Sequence, residues 1–287
     1  MIWLIAFLFI AMAAWMAAGW AFQAWRNNGG WTDVFWSFGM GGVGVFAALF
    51  PMQYGPPSDR QILVAVLVAF WSARLGLHIR RRVMTTPEDA RYARFRTDWA
   101  PHFQRGMFWF LQQQAAGGAL LLISVAAAAH NPAPGLTALD ILGGAILAVA
   151  IVGEGAADIQ LQTFARNPAN KGKVCDVGLW SWSRHPNYFF EWLGWVAYPV
   201  IALDLSGPYL WAIAALIAPV AMYLILRFVT GVPPLEQHML ASRGDAFRAY
   251  QARVSIFLPL PPRFMARPRP LRRRLRRRSG QASTGSG

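Results

Sequence analysis

Long apolar runs alternate with short polar segments along most of the chain. The first run, from Ile2 to Trp25, is long enough to cross a bilayer as one helix, and it is too long and lacks the basic start of a secretory signal. The further runs span about 34–50, 62–79, 107–129, 139–162, 186–203 and 209–229. We therefore predict an all-α fold, a polytopic membrane helix bundle with about seven transmembrane helices.

Basic residues are unevenly distributed over the segments between these runs. Lysine and arginine are frequent after residues 79, 162 and 229, whereas segments 130–137 and 204–208 contain neither. Loops rich in these residues stay in the cytoplasm. This distribution predicts an amino terminus outside and a cytoplasmic carboxyl terminus.

Composition excludes several other classes of protein. Hydrophobic residues make up 55% of the chain, which is more than a soluble domain of 287 residues needs. The single cysteine, Cys175, excludes an internal disulfide and supports no metal cluster, so we predict no metal.

The basic excess is concentrated in a tail. The formal charge is +14, and nine arginines between Arg263 and Arg278 supply most of it. We expect a single membrane-embedded domain over residues 1–262 and a disordered arginine-rich tail over 263–287. This tail would bind anionic lipid head groups. We predict no nucleic-acid partner, because the membrane is the nearer polyanion, and no obligate protein partner.

A polar stretch, residues 178–191, stands at the mouth of an apolar run. Pro186 is suited to the first turn of a helix, because it lacks the N–H that would be unpaired there. Asn187 and Glu191 would then lie one turn apart on one face. Arg184 and His185 precede this turn, where free N–H groups favour an anion. Polar groups at this depth mark a candidate site.

Further polar residues interrupt the apolar runs. Arg74 and His78 lie four residues apart and share one helical face. Glu154, Asp158 and Gln162 form a polar stripe with the same spacing. After the last run, residues 232–254 predict one helix that carries three more candidates: Glu236, Tyr250 and Arg253.

The string Gly-Leu-Trp-x-x-Ser-Arg-His-Pro-Asn-Tyr, followed by Glu191, resembles the C-terminal signature of the steroid 5-alpha-reductase-like membrane proteins. The 3-oxo-5-alpha-steroid 4-dehydrogenase C-terminal domain carries this signature, and the bacterial DUF1295 branch is the most similar. Sterol C14 and Δ7 reductases carry a related motif. The resemblance covers about 154–262, and extends more loosely back to Trp71. It implies a multi-pass protein of the bacterial inner membrane.

The resemblance also implies an activity. The expected protein is an NADPH-dependent oxidoreductase acting on CH–CH groups, which transfers hydride to a C=C bond, expected to be a conjugated enone, of a steroid-like or other lipid. The resemblance and the polar pattern together assign eleven positions to the cofactor: Glu154, Asp158, Arg166, Arg184, His185, Asn187, Tyr188, Glu191, Glu236, Tyr250 and Arg253.

The chain departs from the characterised steroid reductases at the proton donor. Those proteins use a glutamate in a Gln-Glu-Leu-Pro motif and a tyrosine on the next span, whereas this chain has Gln53-Tyr54-Gly55-Pro56. Asp33, His78 and Arg74 are the candidate catalytic residues in their place.

Two alternatives remain open from the residues. The Arg-His-Pro core occurs in isoprenylcysteine carboxyl methyltransferases, so an S-adenosylmethionine-dependent membrane methyltransferase is one. A lipid-binding membrane protein without catalysis is the other, because a fold does not guarantee an activity.

Overall fold

The computed structural model describes residues 1–52 and 55–261. Two parts of the chain discussed above lie outside the described residues. They are Gln53 and Tyr54, which this chain has in place of the Gln-Glu-Leu-Pro motif, and the predicted tail at 263–287. Eleven α-helices form over the described part: α1 (Ile2–Arg26), α2 (Trp31–Leu49), α3 (Asp59–Thr85), α4 (Ala90–Asp98), α5 (Phe103–Ala129), α6 (Ala138–Arg166), α7 (Pro186–Ala202), α8 (Trp211–Ala214), α9 (Ile217–Leu224), α10 (Val232–Arg243) and α11 (Asp245–Arg253). The predicted all-α membrane fold is confirmed.

Within residues 1–52 and 55–261, six helices are long and apolar enough to cross a membrane. Five are α1, α2, α3, α5 and α6, and the sixth is the nearly continuous segment Trp211–Arg243. The remaining predicted span is α7, which has 17 residues and is shorter than these six. Seven spans and the sidedness of the termini remain predictions.

Two ends of the bundle matter for function. At the motif end, α3 and α6 finish and α7 begins. At the opposite end, α3 and α6 begin. Because α3 and α6 run in the same direction, polar residues late in both helices can meet at the motif end.

A buried ion pair joins α3 to α6 at the opposite end. The guanidinium of Arg60 donates from Nε and Nη2 to the two carboxylate oxygens of Asp140, at 2.7 and 2.8 Å. Its remaining N–H groups donate to the carbonyls of Asn131, Ala133 and Gly135. Neither side chain is more than 3% exposed. Such a pair is stabilising only when its remaining hydrogen-bonding groups are satisfied, as they are here.

Close packing of α6 on α7 depends on a missing side chain. A Cβ added at Gly143 would lie 2.4 Å from Cγ1 of Ile201 and 2.9 Å from the carbonyl oxygen of Ala197. The backbone oxygen cannot yield without displacing α7. Small residues permit this kind of close helix contact inside membranes.

We expect Gly143→Ala to lower the thermal stability of the purified protein, by roughly 1–3 kcal/mol, since overpacking forces backbone shifts. Gly144→Ala is the matched control, because a Cβ there meets no atom within 4 Å. Thermal unfolding in detergent measures both. Equal midpoints for the two variants would contradict the packing argument.

The structure corrects two predicted elements. The polar segment 80–105 was expected as a loop, but α3 continues to Thr85 and α4 forms within the segment. Asp89 caps α4 by accepting a hydrogen bond from the N–H of Arg91. The single helix predicted over 232–254 is two helices, because Gly244 takes a φ of 51° between them.

Candidate functional site

One guanidinium, that of Arg74 on α3, joins two carboxylates of α6. Its Nη1 lies 2.6 Å from Oε2 of Glu154, and its Nη2 donates to Oδ2 of Asp158 at 3.1 Å. The side chains of Arg74, Glu154 and Asp158 are 18%, 9% and 15% exposed. Two residues of the predicted polar stripe, Glu154 and Asp158, thus face α3 across a largely buried contact, whereas the third, Gln162, is exposed.

Two indoles hold a third carboxylate nearby. Nε1 of Trp71 donates to Oε2 of Glu191 at 3.1 Å, and Nε1 of Trp195 donates to Oε1 at 3.0 Å. The two rings meet edge to face at 5.1 Å. Trp71 lies one turn before Arg74 on α3. Glu191 lies close enough to Arg74 for an electrostatic attraction between the two side chains. We call Arg74, Glu154, Asp158, Glu191 and His78 the charge cluster.

His78 is the member of the charge cluster that lies furthest along α3, toward the motif end. Its Nε2 lies 3.8 Å from Oδ2 of Asp158, and a third of its side chain is exposed. The structure therefore brings two predicted catalytic residues, Arg74 and His78, together with three predicted cofactor residues.

Asp33, the third predicted catalytic residue, lies in the first turn of α2 and faces α4. It accepts hydrogen bonds from the Tyr92 hydroxyl at 2.7 Å and from Nη2 of Arg91 at 2.8 Å. Burial, with the neighbouring Asp33 carboxylate, raises the pKa of the Tyr92 phenol well above its usual value, so the phenol stays a donor. The hydrogen-bond donors to the Asp33 carboxylate thus come from α4, outside the charge cluster.

Four other predicted cofactor residues have partners within the protein. Arg184 donates from Nε to Oε1 of Glu236 at 2.7 Å, and from Nη1 to the carbonyls of Gln251 and Val254. Nε2 of His185 lies 3.1 Å from the same oxygen of Glu236.

These contacts fasten the C-terminal segment beneath the motif. The Tyr250 hydroxyl donates to the carbonyl oxygen of Trp180 at 2.5 Å. Burial lowers the pKa of His185 below its ordinary value, although the Glu236 carboxylate opposes this. A cofactor-binding role for Arg184, His185, Glu236 and Tyr250 remains a prediction. Their contacts within the protein fit a structural role, in which they hold the C-terminal helices against the start of α7.

The remaining predicted residues lie around the start of α7 and the end of α6. Asn187 uses its side-chain oxygen to accept from the N–H of Tyr188, at 3.0 Å. Tyr188 is close enough to Asp158 and Arg91 to interact electrostatically with both. Arg166 is exposed at the last position of α6, and Arg253 pairs with Asp176 at the surface.

A cavity of about 600 Å³ lies at the opposite end of the bundle, where Arg60, His130 and Tyr209 contribute to its lining. Arg74 is fourteen residues further along α3 than Arg60, a separation of about 21 Å at 1.5 Å per residue. The charge cluster is therefore not part of this cavity.

Comparison with known proteins decides the family. The model of the family described as "Protein of unknown function (DUF1295)" matches residues 19–254. The chain belongs to the DUF1295 family. The match covers all the helices of the charge cluster and confirms the predicted family. Together with the six apolar helices, it supports a multi-pass membrane protein of steroid reductase-like type.

An uncharacterised protein from Schizosaccharomyces pombe is similar to this DUF1295 protein. The two are 25% identical over 265 residues, which cover 84% of this chain and 75% of the relative. No solved structure matches the chain significantly.

Sequence reasoning missed the two indole donors of this DUF1295 protein. Trp195 follows Glu191 by four residues on α7, and Trp71 precedes Arg74 by three on α3, so helical spacing places each beside a candidate residue. The general enrichment of tryptophan at membrane interfaces masked this signal. Tyr92 and Arg91 were missed because α4 was not predicted.

Proposed function

We propose that this DUF1295 protein is an integral membrane NADPH-dependent reductase, which transfers hydride to a C=C bond conjugated with a carbonyl in a steroid-like or other lipid. One observation carries the proposal: Arg74, Glu154, Asp158 and Glu191 converge from three helices at the motif end. Several of these positions match cofactor positions implied by the family resemblance. Buried charge at this depth is costly and usually functional.

The charge cluster suits the hydroxyl and carboxamide groups of a dinucleotide. Carboxylates only accept hydrogen bonds, and each oxygen has a second lone pair, so Glu191 can accept from a ligand while both indoles remain bound. The amide nitrogen of Asn187 has no hydrogen-bond partner among the described residues and stands one turn from Glu191. It supplies a donor beside these acceptors.

The phosphates would lie away from the carboxylates, because like charges repel. Arg82 and Arg91 are half exposed at the motif end, and both lie near enough to Tyr188 to influence its hydroxyl electrostatically. They are available to phosphate because Asp33 and Asp89 are shared, exchangeable partners. Arg184 is less suitable, since Glu236 and two carbonyls occupy its donors.

The bound dinucleotide supplies a hydride with two electrons. The residues of this chain would orient it and stabilise the charge that develops on the carbonyl oxygen. Arg74 carries the guanidinium nearest the carboxylates and His78 an N–H donor, so these two side chains can supply that stabilisation. The apolar helices around them accommodate a lipid and exclude water.

Ligand binding tests the proposal against its two alternatives. We expect isothermal calorimetry of the detergent-purified protein to show binding of NADPH, weaker binding of NADH, and none of S-adenosylmethionine. The 2′-phosphate that distinguishes NADPH would gain contacts with arginines, and charge-assisted hydrogen bonds are the stronger ones. Binding of S-adenosylmethionine alone would identify a methyltransferase. Binding of none of the three would favour a lipid-binding protein.

A further inference from the structure

The charge cluster contains more negative than positive groups. Three carboxylates, on Glu154, Asp158 and Glu191, share the single guanidinium of Arg74. His78 is the next basic group along α3, and its Nε2 lies 3.8 Å from Oδ2 of Asp158. Carboxylates that share a buried site do not all ionise, because desolvation and mutual repulsion oppose the charged forms. At least one proton therefore belongs to the cluster.

Hydrogen bonding separates the three carboxylates. Glu191 receives an N–H on each oxygen, from Trp71 and Trp195, and such donors favour the ionised form. Asp158 receives a hydrogen bond from Arg74 and also faces His78.

Glu154 has the fewest partners. Among the described residues its one polar partner is Nη1 of Arg74, at 2.6 Å, a nitrogen that makes no well-directed hydrogen bond. Its side chain is also largely buried. The negative charges of Asp158 on its own helix and of Glu191 on α7 repel a charge on Glu154, whereas Arg74 attracts it but is shared with Asp158.

We propose that Glu154 holds this proton in the resting protein and is the proton donor of the reduction. The inference rests on the proposed reductase function. It assigns the role that the missing glutamate and tyrosine of the steroid reductases leave open in this chain.

The reaction balances with one proton from Glu154. The β-carbon of the enone takes a hydride with its two electrons from NADPH. The π pair moves toward the α-carbon and the carbonyl oxygen, and the resulting enolate takes the proton of Glu154. The products are the saturated carbonyl, NADP⁺ and the Glu154 carboxylate.

The structure offers a way to restore the proton. Asp158 lies one turn from Glu154 on α6, and the His78 side chain next to Asp158 is a third exposed. A proton taken up by His78 can pass through Asp158 to Glu154. Arg74 holds both carboxylates in place along this route.

Infrared spectroscopy locates the proton without any substrate. At neutral pH the exposed carboxyl groups are ionised, so a protonated C=O band reports buried acids. We expect the wild-type protein to show this band, Glu154→Gln to lose it, and Glu191→Gln to keep it. As pH rises the band should disappear, because the acid ionises. A band that persists in Glu154→Gln, or is absent from the wild type, would overturn the proposal.

Turnover tests the catalytic half separately. NADPH oxidation is followed with two enone probes, cyclohex-2-enone and a 3-keto-4-ene steroid, and NADPH binding is measured alongside. We expect Glu154→Gln, assayed at an NADPH concentration that its own binding curve shows to be saturating, to lose at least a hundredfold in kcat, a typical contribution of general acid catalysis. Loss of the band with normal turnover would show a stored proton that the reaction does not use. Failure of the wild type to bind NADPH would refute the reductase proposal, while the infrared result would still place the proton.

Discussion

Glu191→Gln is expected to weaken NADPH binding by about tenfold to a hundredfold, because hydrogen bonds to a charged group contribute roughly 1.5–3 kcal/mol. The amide keeps the shape of the side chain and one oxygen for an indole donor. In the wild type each carboxylate oxygen of Glu191 accepts an N–H from one indole. The glutamine lacks the negative charge and has only one acceptor oxygen, so one of the two indoles loses its partner. Calorimetry with purified protein measures the change.

The indole donors should contribute through Glu191. Trp195→Phe keeps an aromatic ring but removes the N–H that orients the carboxylate, so we expect a smaller loss of affinity. That loss should largely vanish when the Glu191→Gln substitution is already present, which a double-mutant cycle detects. Asp245→Asn, in an exposed pair with Arg248, is the control. Unchanged NADPH affinity in Glu191→Gln would contradict the assignment of this carboxylate.

Arg60→Met is expected to destabilise the protein by about 3–5 kcal/mol, because removal of one partner leaves an uncompensated buried charge. Asp140 would lose both of its guanidinium contacts, and three loop carbonyls would lose their donor. Chemical or thermal unfolding in detergent measures the loss.

Two comparisons separate this buried pair from a general surface effect. Arg94→Met removes an ion pair whose arginine is 80% exposed, and it should change stability little. Arg60→Met with Asp140→Leu should cost less than Arg60→Met alone, because no charge is left unpaired. A loss below about 1 kcal/mol in the single variant would refute the stabilising role of this pair.

Local features of the sequence predicted local structure well. Pro186 was expected to start a helix, and α7 begins there with Asn187 and Glu191 one turn apart. The spacing of Glu154 and Asp158 was expected to form a stripe, and both face one arginine. Helical periodicity and the conformational restriction of proline depend on neighbouring residues only, which is why a single sequence reveals them.

Contacts between distant segments were not predictable in the same way. Arg184 carries a charge that suits an anion, yet Glu236, 52 residues later, occupies it. Asp33 was considered with His78, but α4 supplies Tyr92 and Arg91 as its partners. Which opposite charges meet is decided by helix packing, and one sequence does not specify it.

Site-directed labelling detects whether the cofactor binds at the motif end, beside α7. Cys175 is the single cysteine, so Cys175→Ser gives a background free of thiols. Asn187→Cys then places one thiol at the start of α7, and Ser242→Cys places a control thiol on the exposed face of α10.

Maleimide labelling of each variant is measured with and without NADPH. Asn187→Cys removes one predicted ligand, so NADPH is supplied well above the wild-type dissociation constant. We expect NADPH to slow the labelling of Asn187→Cys severalfold and to leave that of Ser242→Cys unchanged. Equal labelling of Asn187→Cys with and without NADPH, at a concentration where calorimetry shows the variant to be saturated, would mean that the cofactor does not bind beside α7.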